Sequence, residues 1–163
     1  MKTRTALTVV ALLSLPQLLL ADTVMVYVST SPDSDYQLGS ALRYATAIES
    51  GVMDVFFDHG HIVFNFGIPG IDPEPTPFRS EPPAVRVAKR GAATRLLELL
   101  FSDPTKDHPM PATIEYTYTD LTSDLVVAAG VVRAAMLRVG STDLIELCRE
   151  YGQEVAIEAL RDL

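Results

Sequence analysis

The spacing of apolar residues changes repeatedly along this chain of 163 residues, and each change marks an element. Residues 23–29, TVMVYVS, form an apolar run rich in Val and Tyr and too short for a helix, which predicts a strand. It stops at the turn cluster Ser31-Pro32-Asp33. Ser34-Asp35-Tyr36-Gln37 then fits a capping box, in which the Ser oxygen and the Gln side chain each satisfy a free backbone N–H. Leu38, Ala41, Leu42, Ala45, Ile48 and Val52 follow at three-to-four spacing, the stripe of an amphipathic helix. Its end has two solutions. Gly51 as the cap would leave 52–58 a strand that turns into 61–66. Phe56 as a continuation of the stripe makes Gly60 the cap and 61–66 a separate strand. Shared helical spacing among Leu38, Val52, Val55 and Phe56 favours the second.

Residues 67–83 carry six prolines, at 69, 73, 75, 77, 82 and 83, which exclude a regular helix or a central strand. A short helix is predicted over 84–89, with Gly91 as its cap. Residues 93–101 suit a continued helix through Leu96, Leu97 and Leu100, or a strand with Leu97, Leu99 and Phe101 on one face; periodicity leaves both open. After a second Pro-containing loop, 102–111, the segment 113–119 alternates Ile114, Tyr116 and Tyr118 against Thr113, Glu115 and Thr117, the pattern of a half-buried strand. The turn-like 120–124 and the Val- and Ala-rich 125–137 complete an antiparallel hairpin. Gly140-Ser141-Thr142-Asp143 supplies cap residues for a last helix. Its apolar stripe is Leu144, Leu147, Cys148, Tyr151, Val155 and Leu160. The fold class predicted is α/β (α+β): a two-layer sandwich with a mixed sheet, about three helices against one face, and a C-terminal antiparallel hairpin followed by a helix.

The first 21 residues stand apart. Lys2 and Arg4 precede an apolar run from Ala6 to Leu20, and Ala21 closes it, the order of a secretory signal peptide. The run is about fifteen residues and is interrupted by Ser14, Pro16 and Gln17, whereas a spanning helix takes roughly 20. An uncleaved anchor is the competing explanation. Cleavage gives a periplasmic or extracellular single α/β domain over 22–163, with no membrane span in the mature chain. Loss of Lys2 and Arg4 leaves 11 basic and 21 acidic residues, so a formal charge of −8 becomes −10. That balance opposes nucleic acid and anionic lipid, which both require clustered Lys and Arg. The single cysteine, Cys148, cannot form a disulfide within the chain.

Candidate chemistry is sparse. Asp58, His59 and His61 place two imidazoles and a carboxylate close in sequence, with His108 elsewhere, donors that zinc or copper accepts. Their spacing matches no zinc motif, and a His with Gly60 at a helix end explains the cluster without a metal. Cys148 lies on an apolar stripe, where a thiol acts as a small hydrophobe. GxSxG, P-loop and GxGxxG patterns are absent. No cofactor is implied. Ile68, Ile71, Phe78 and Arg79 of the Pro-rich loop are the candidate partner-binding residues, since apolar groups on a semi-rigid segment lose little entropy on docking. Folding back to cover a sheet edge or the core is the competing role for them.

The capped helix, Phe56-Phe57, Gly60 and HIVFN within 38–65 carry a family resemblance. So do Ala88-Lys89-Arg90-Gly91-Ala92 before a Leu-rich run, and EYTYTDLTSDLVVAAGVVR with its Asp-x-Thr turn. Over roughly 23–138 the chain resembles the periplasmic module of the curli-secretion lipoprotein, the lipoprotein activators of penicillin-binding proteins and the amino-terminal domain of TolB. It departs from them in lacking a lipid-bearing Cys and in inserting the Pro-rich loop. The resemblance implies the architecture and carries over no functional residue. The function expected is a non-enzymatic envelope interaction or assembly protein, its partner an envelope protein or a cell-wall-associated one. The alternative is a metal-dependent enzyme or metal-binding protein using Asp58, His59 and His61.

Overall fold

β1 (Thr23–Thr30) is apolar on both sides because it runs through the inside of a sheet covered, around Met25, on both faces. The computed structural model describes residues 21–30, 38–66, 81–102, 110–134 and 143–161. In them α1 (Leu38–Asp58) leads to β2 (Ile62–Asn65), then α2 (Pro83–Arg90), β3 (Arg95–Phe101), β4 (Thr113–Asp120), β5 (Leu125–Arg133) and α3 (Leu144–Arg161). The sheet order is β2-β1-β3-β4-β5. β1 pairs in parallel with β2 and β3, whereas β3-β4 and β4-β5 are antiparallel, so the sheet is mixed as the sequence pattern implied.

One face carries Val24, Val26, Val28, Leu97, Leu99, Phe101, Ile114 and Tyr118, all buried under α1 and α3. From α1 come Ile48, Val52 and Phe56, and from α3 Cys148, Tyr151 and Val155. The middle of each stripe read from spacing is therefore buried, whereas Leu42 of the α1 stripe is exposed and Leu144, Leu147 and Leu160 of the α3 stripe are half-buried. The buried Tyr151 hydroxyl donates to the Val132 carbonyl at 2.7 Å, which ties α3 to β5. Gly51 and Gly152 let the two helices cross closely. A Cβ on Gly152 would press on the Ile48 carbonyl, and one on Gly51 on the Arg149 carbonyl, both far inside contact distance.

The short α2 lies on the second face, where Ala84, Val87 and Ala88 pack with Met25, Leu96 and Leu121. It adds a partial cover to a two-layer body whose long helices share one face, whereas the sequence pattern had placed every helix on that face. The open choice over 93–101 resolves as strand β3. Its LLELL core looks helix-like because Leu97 and Leu99 face α1 and α3 while Leu96 faces α2. Gly60, at φ +85°, ends α1, with the His61 N–H on the Phe56 carbonyl at 3.1 Å and the Gly60 N–H on the Phe57 carbonyl at 2.9 Å. Asp143 caps α3, its carboxylate accepting from the Ile145 N–H at 2.9 Å. The capping box at 34–37 and the segment 135–137 lie outside the described residues. Among the described residues no helix is long and apolar enough to cross a membrane.

Candidate interaction surface

The histidine cluster forms by the geometry of a helix end. His59 turns back so that its ring nitrogen meets the Val55 carbonyl at 2.7 Å, and Asp58 is exposed. His61 is half-buried against Phe56, with ring centroids 5.5 Å apart. Burial lowers its pKa, opposed by the Asp22 carboxylate. Among the described residues no three His, Cys, Asp or Glu side chains gather at metal-binding distance. His108 lies outside the described residues, as do Ile68, Ile71, Phe78 and Arg79. Cys148 is fully buried, and burial pushes its thiol up to about 11, so the thiolate nucleophile is suppressed.

Where β1 and β3 begin and β4 ends, Arg95 joins two carboxylates that no local pattern pairs with it. Its guanidinium reaches Asp22 at 3.3 Å and also contacts Asp120. Asp120 accepts from the Thr122 N–H at 2.8 Å and the Ser123 N–H at 3.2 Å, forming the Asp-x-Thr turn of the hairpin. The Thr122 hydroxyl donates to the same carboxylate, and this bond first, with the backbone N–H bonds after it, holds the Asp120 carboxyl down at about 2. The network fastens strand ends together. Tyr118 is fully buried in the first core, its ring against Phe56, and its hydroxyl has no hydrogen-bond partner among the described residues. Burial raises its pKa, so the hydroxyl stays protonated.

Among the described residues, nothing covers the second face beyond α2. Register places Tyr27, Glu98, Thr117 and Ala129 in one row across β1, β3, β4 and β5, and Ser29, Leu100, Glu115 and Val131 in the next. Glu98 sits half-buried at the centre, with no ion pair or hydrogen bond to another described residue, and burial raises its pKa. The apolar members grow more exposed toward β5. Val126 is 59% and Val131 54% exposed on this face, and Leu125, 62% exposed, belongs to the row of the other face. β5 ends the sheet, and among the described residues nothing pairs with its outer edge.

Grooves between described residues flank this architecture on the helical side. One of about 580 Å³ runs between α1 and α3, with Leu42, Thr46, Ala47 and Ile145 among its lining residues. Another, about 370 Å³, lies between β5 and α3 and is lined by Tyr116, Gly130, Val131, Val132, Glu154 and Glu158. Gly130 exists for Tyr116: a Cβ there would lie 2.8 Å from the Tyr116 hydroxyl oxygen, which crosses over the strand.

The sequence carried one unused signal for this surface. An uninterrupted LVVAAGVV has the composition of a strand buried on both faces, yet the hairpin connection leaves it at an edge. An apolar strand without a second neighbour exposes what such a strand normally buries.

No family model and no curated protein matches the chain. Among solved structures it is similar to a PelC dodecamer from Paraburkholderia phytofirmans, 12% identical with a TM-score of 0.49, over 85% of this chain and 86% of that one. TolB from Acinetobacter baumannii is 9% identical at a TM-score of 0.42, over 87% of this chain and 28% of TolB. The hypothetical protein CT253 from Chlamydia trachomatis is 12% identical at 0.43, over 86% of this chain and 99% of that one. Likeness at this level concerns the path of the chain and says nothing of activity. TolB was one of the proteins in the sequence resemblance; the curli-secretion and penicillin-binding-protein activator lipoproteins rest on sequence alone.

Proposed function

We propose that the chain is an exported, non-enzymatic interaction or assembly protein of the cell envelope. The observation that carries this reading is the nine-residue apolar strand β5 at the sheet edge, with Leu125, Val126 and Val131 exposed. An apolar edge of that length invites another chain, and a protein that keeps one exposed uses it or aggregates through it. The leader-like start, with Lys2 and Arg4 before an apolar run and Ala21 at its exit, supports export. The acidic balance of the mature chain supports a protein partner over nucleic acid or anionic lipid.

The Pro-rich loop is the second element of the reading, with Ile68, Ile71, Phe78 and Arg79 as partner-binding residues. Prolines at 69, 73, 75 and 77 oppose a ladder or helix there, whereas Pro83 opens α2, so replacing 70–80 need not cost backbone hydrogen bonds, and shortening a loop changes its closure entropy little. The test is replacement of residues 70–80 by a short Gly-Ser linker, followed by thermal melting and affinity capture from envelope extract. A nearly unchanged midpoint with loss of capture is the expected result. A steep fall in the midpoint overturns the loop's assignment and makes it a structural cover. For export, mass spectrometry of the native protein is expected to show a chain lacking roughly its first 21 residues. An intact Met1 terminus in the membrane fraction contradicts cleavage.

A further inference from the structure

Resting on that interaction reading, we infer that the β5 edge and the groove beside it receive an extended, cationic segment of a protein partner, added to the sheet as a sixth strand.

The backbone supplies the first part of the argument. Alternate residues of an antiparallel edge strand direct their N–H and C=O groups outward, so nine residues of β5 offer about four such positions. A strand added there gains main-chain hydrogen bonds along its length, and its alternating side chains reach opposite faces of the sheet. On the open face they meet Val131 and Ala129, both exposed beside Thr117 and Glu115. On the helical face they meet the groove of about 370 Å³.

Charge chooses the occupant. Glu154 and Glu158, one helical turn apart on α3, both line the groove. Glu154 has no partner among the described residues, while Glu158 pairs with Arg161 at 2.7 Å. Arg161 is 62% exposed, so that pair is weakly held and exchanges readily. Arg133, at the end of β5, is exposed and does not line the groove. A Lys or Arg on the incoming strand therefore finds an acidic wall, with the Tyr116 ring and Val132 beneath its aliphatic stem. A second copy of this chain would bring a second Glu154 and Glu158 and an overall charge of the same sign, −8 for the full sequence. Like charges oppose self-pairing at this edge.

The test uses the mature protein and a fluorescently labelled, end-capped nine-residue peptide of alternating Lys and Val, with a Glu-Val peptide as its counterpart. Anisotropy is expected to show the Lys-Val peptide binding at least tenfold more tightly, with the preference weakening as salt rises. The double variant Glu154→Lys/Glu158→Lys should weaken Lys-Val binding tenfold or more while keeping the melting midpoint. Val131→Lys should weaken it as well, and β5 amides should gain hydrogen-exchange protection in the wild-type complex. Equal binding of both peptides, binding without β5 protection, or no binding of either overturns the inference. So does a concentration-dependent dimer, seen by sedimentation and removed by Val131→Lys, because a second copy then fills the edge. Envelope capture by the mature chain separates the two levels. Capture that persists in both β5-groove variants leaves the interaction reading standing and removes this surface from it. Absence of capture by the wild type removes both.

Discussion

Replacing Gly152 by Ala adds one methyl group at the crossing of α1 and α3. The new Cβ would lie 2.8 Å from the Ile48 carbonyl carbon and closer still to its oxygen, where ordinary contact begins at 3.4 Å. The obstacle is helical backbone, which cannot rotate away, so the helices must part by roughly 1 Å or more. That movement loosens Cys148, Tyr151 and Val155 against Ile48 and Val52, all fully buried. Overpacking of this kind costs about 1–3 kcal/mol, and more where backbone must shift. Helix propensity works the other way, since Gly to Ala gains about 1 kcal/mol in an exposed helix interior. The net expectation is a loss of about 2 kcal/mol. For a domain of roughly 140 residues this lowers the thermal midpoint by about 6–10 °C. Gly51→Ala should act alike, and the double variant should cost less than the sum, because one separation relieves both clashes. Chemical denaturation of the three variants, with Glu146→Ala as an exposed control, measures this. A midpoint for Gly152→Ala equal to wild type or higher refutes the close crossing and the helix pairing built on it.

Cys148 should react slowly with a thiol reagent in the native protein and fast in denaturant; equal rates contradict its burial in α3. Glu98 has a pKa raised above its ordinary 4.5 by burial, so the folded state holds the proton more tightly than the unfolded one. Stability from this group is fully present below 4.5 and is lost as pH rises through the raised value. Glu98→Gln should therefore raise the midpoint at pH 7 and leave it unchanged near pH 4, and a drop at pH 7 would show that the carboxylate has a favourable partner. Ala92 holds φ +56° just after α2, a conformation that costs most residues energy. Ala92→Gly should stabilise the protein by about 0.5–1 kcal/mol in chemical denaturation, and a loss contradicts the strain.

Elements whose side chains alternate between one core and water were legible from spacing. Ile114, Tyr116 and Tyr118 are buried as their period of two requires, and the α1 stripe through Val52 to Phe56 runs into the Gly60 turn. β3 resisted because α2 covers Leu96 while α1 and α3 cover Leu97 and Leu99, which erases alternation. The position of α2 on the second face was invisible for a related reason: an eight-residue helix carries no record of which side of a sheet it meets. Local rules explain His59 and Gly60, since a helix end accounts for both. Arg95 with Asp22 and Asp120 was beyond reach, because partners 73 and 25 positions apart meet only through strand order. The groove beside β5 was hidden likewise, since Glu154 and Glu158 look like any solvated helix face until α3 is laid along the sheet edge.

The most direct test of an envelope interaction made through β5 is site-specific photo-cross-linking in the native cell. A photoreactive residue replaces Val131 in one strain and Glu146, an exposed residue lining the α1-α3 groove, in another. The account predicts a heteromeric adduct in the envelope fraction from position 131 and none from position 146. Only homomeric adducts at 131, or no adduct there beside a strong one at 146, would contradict it.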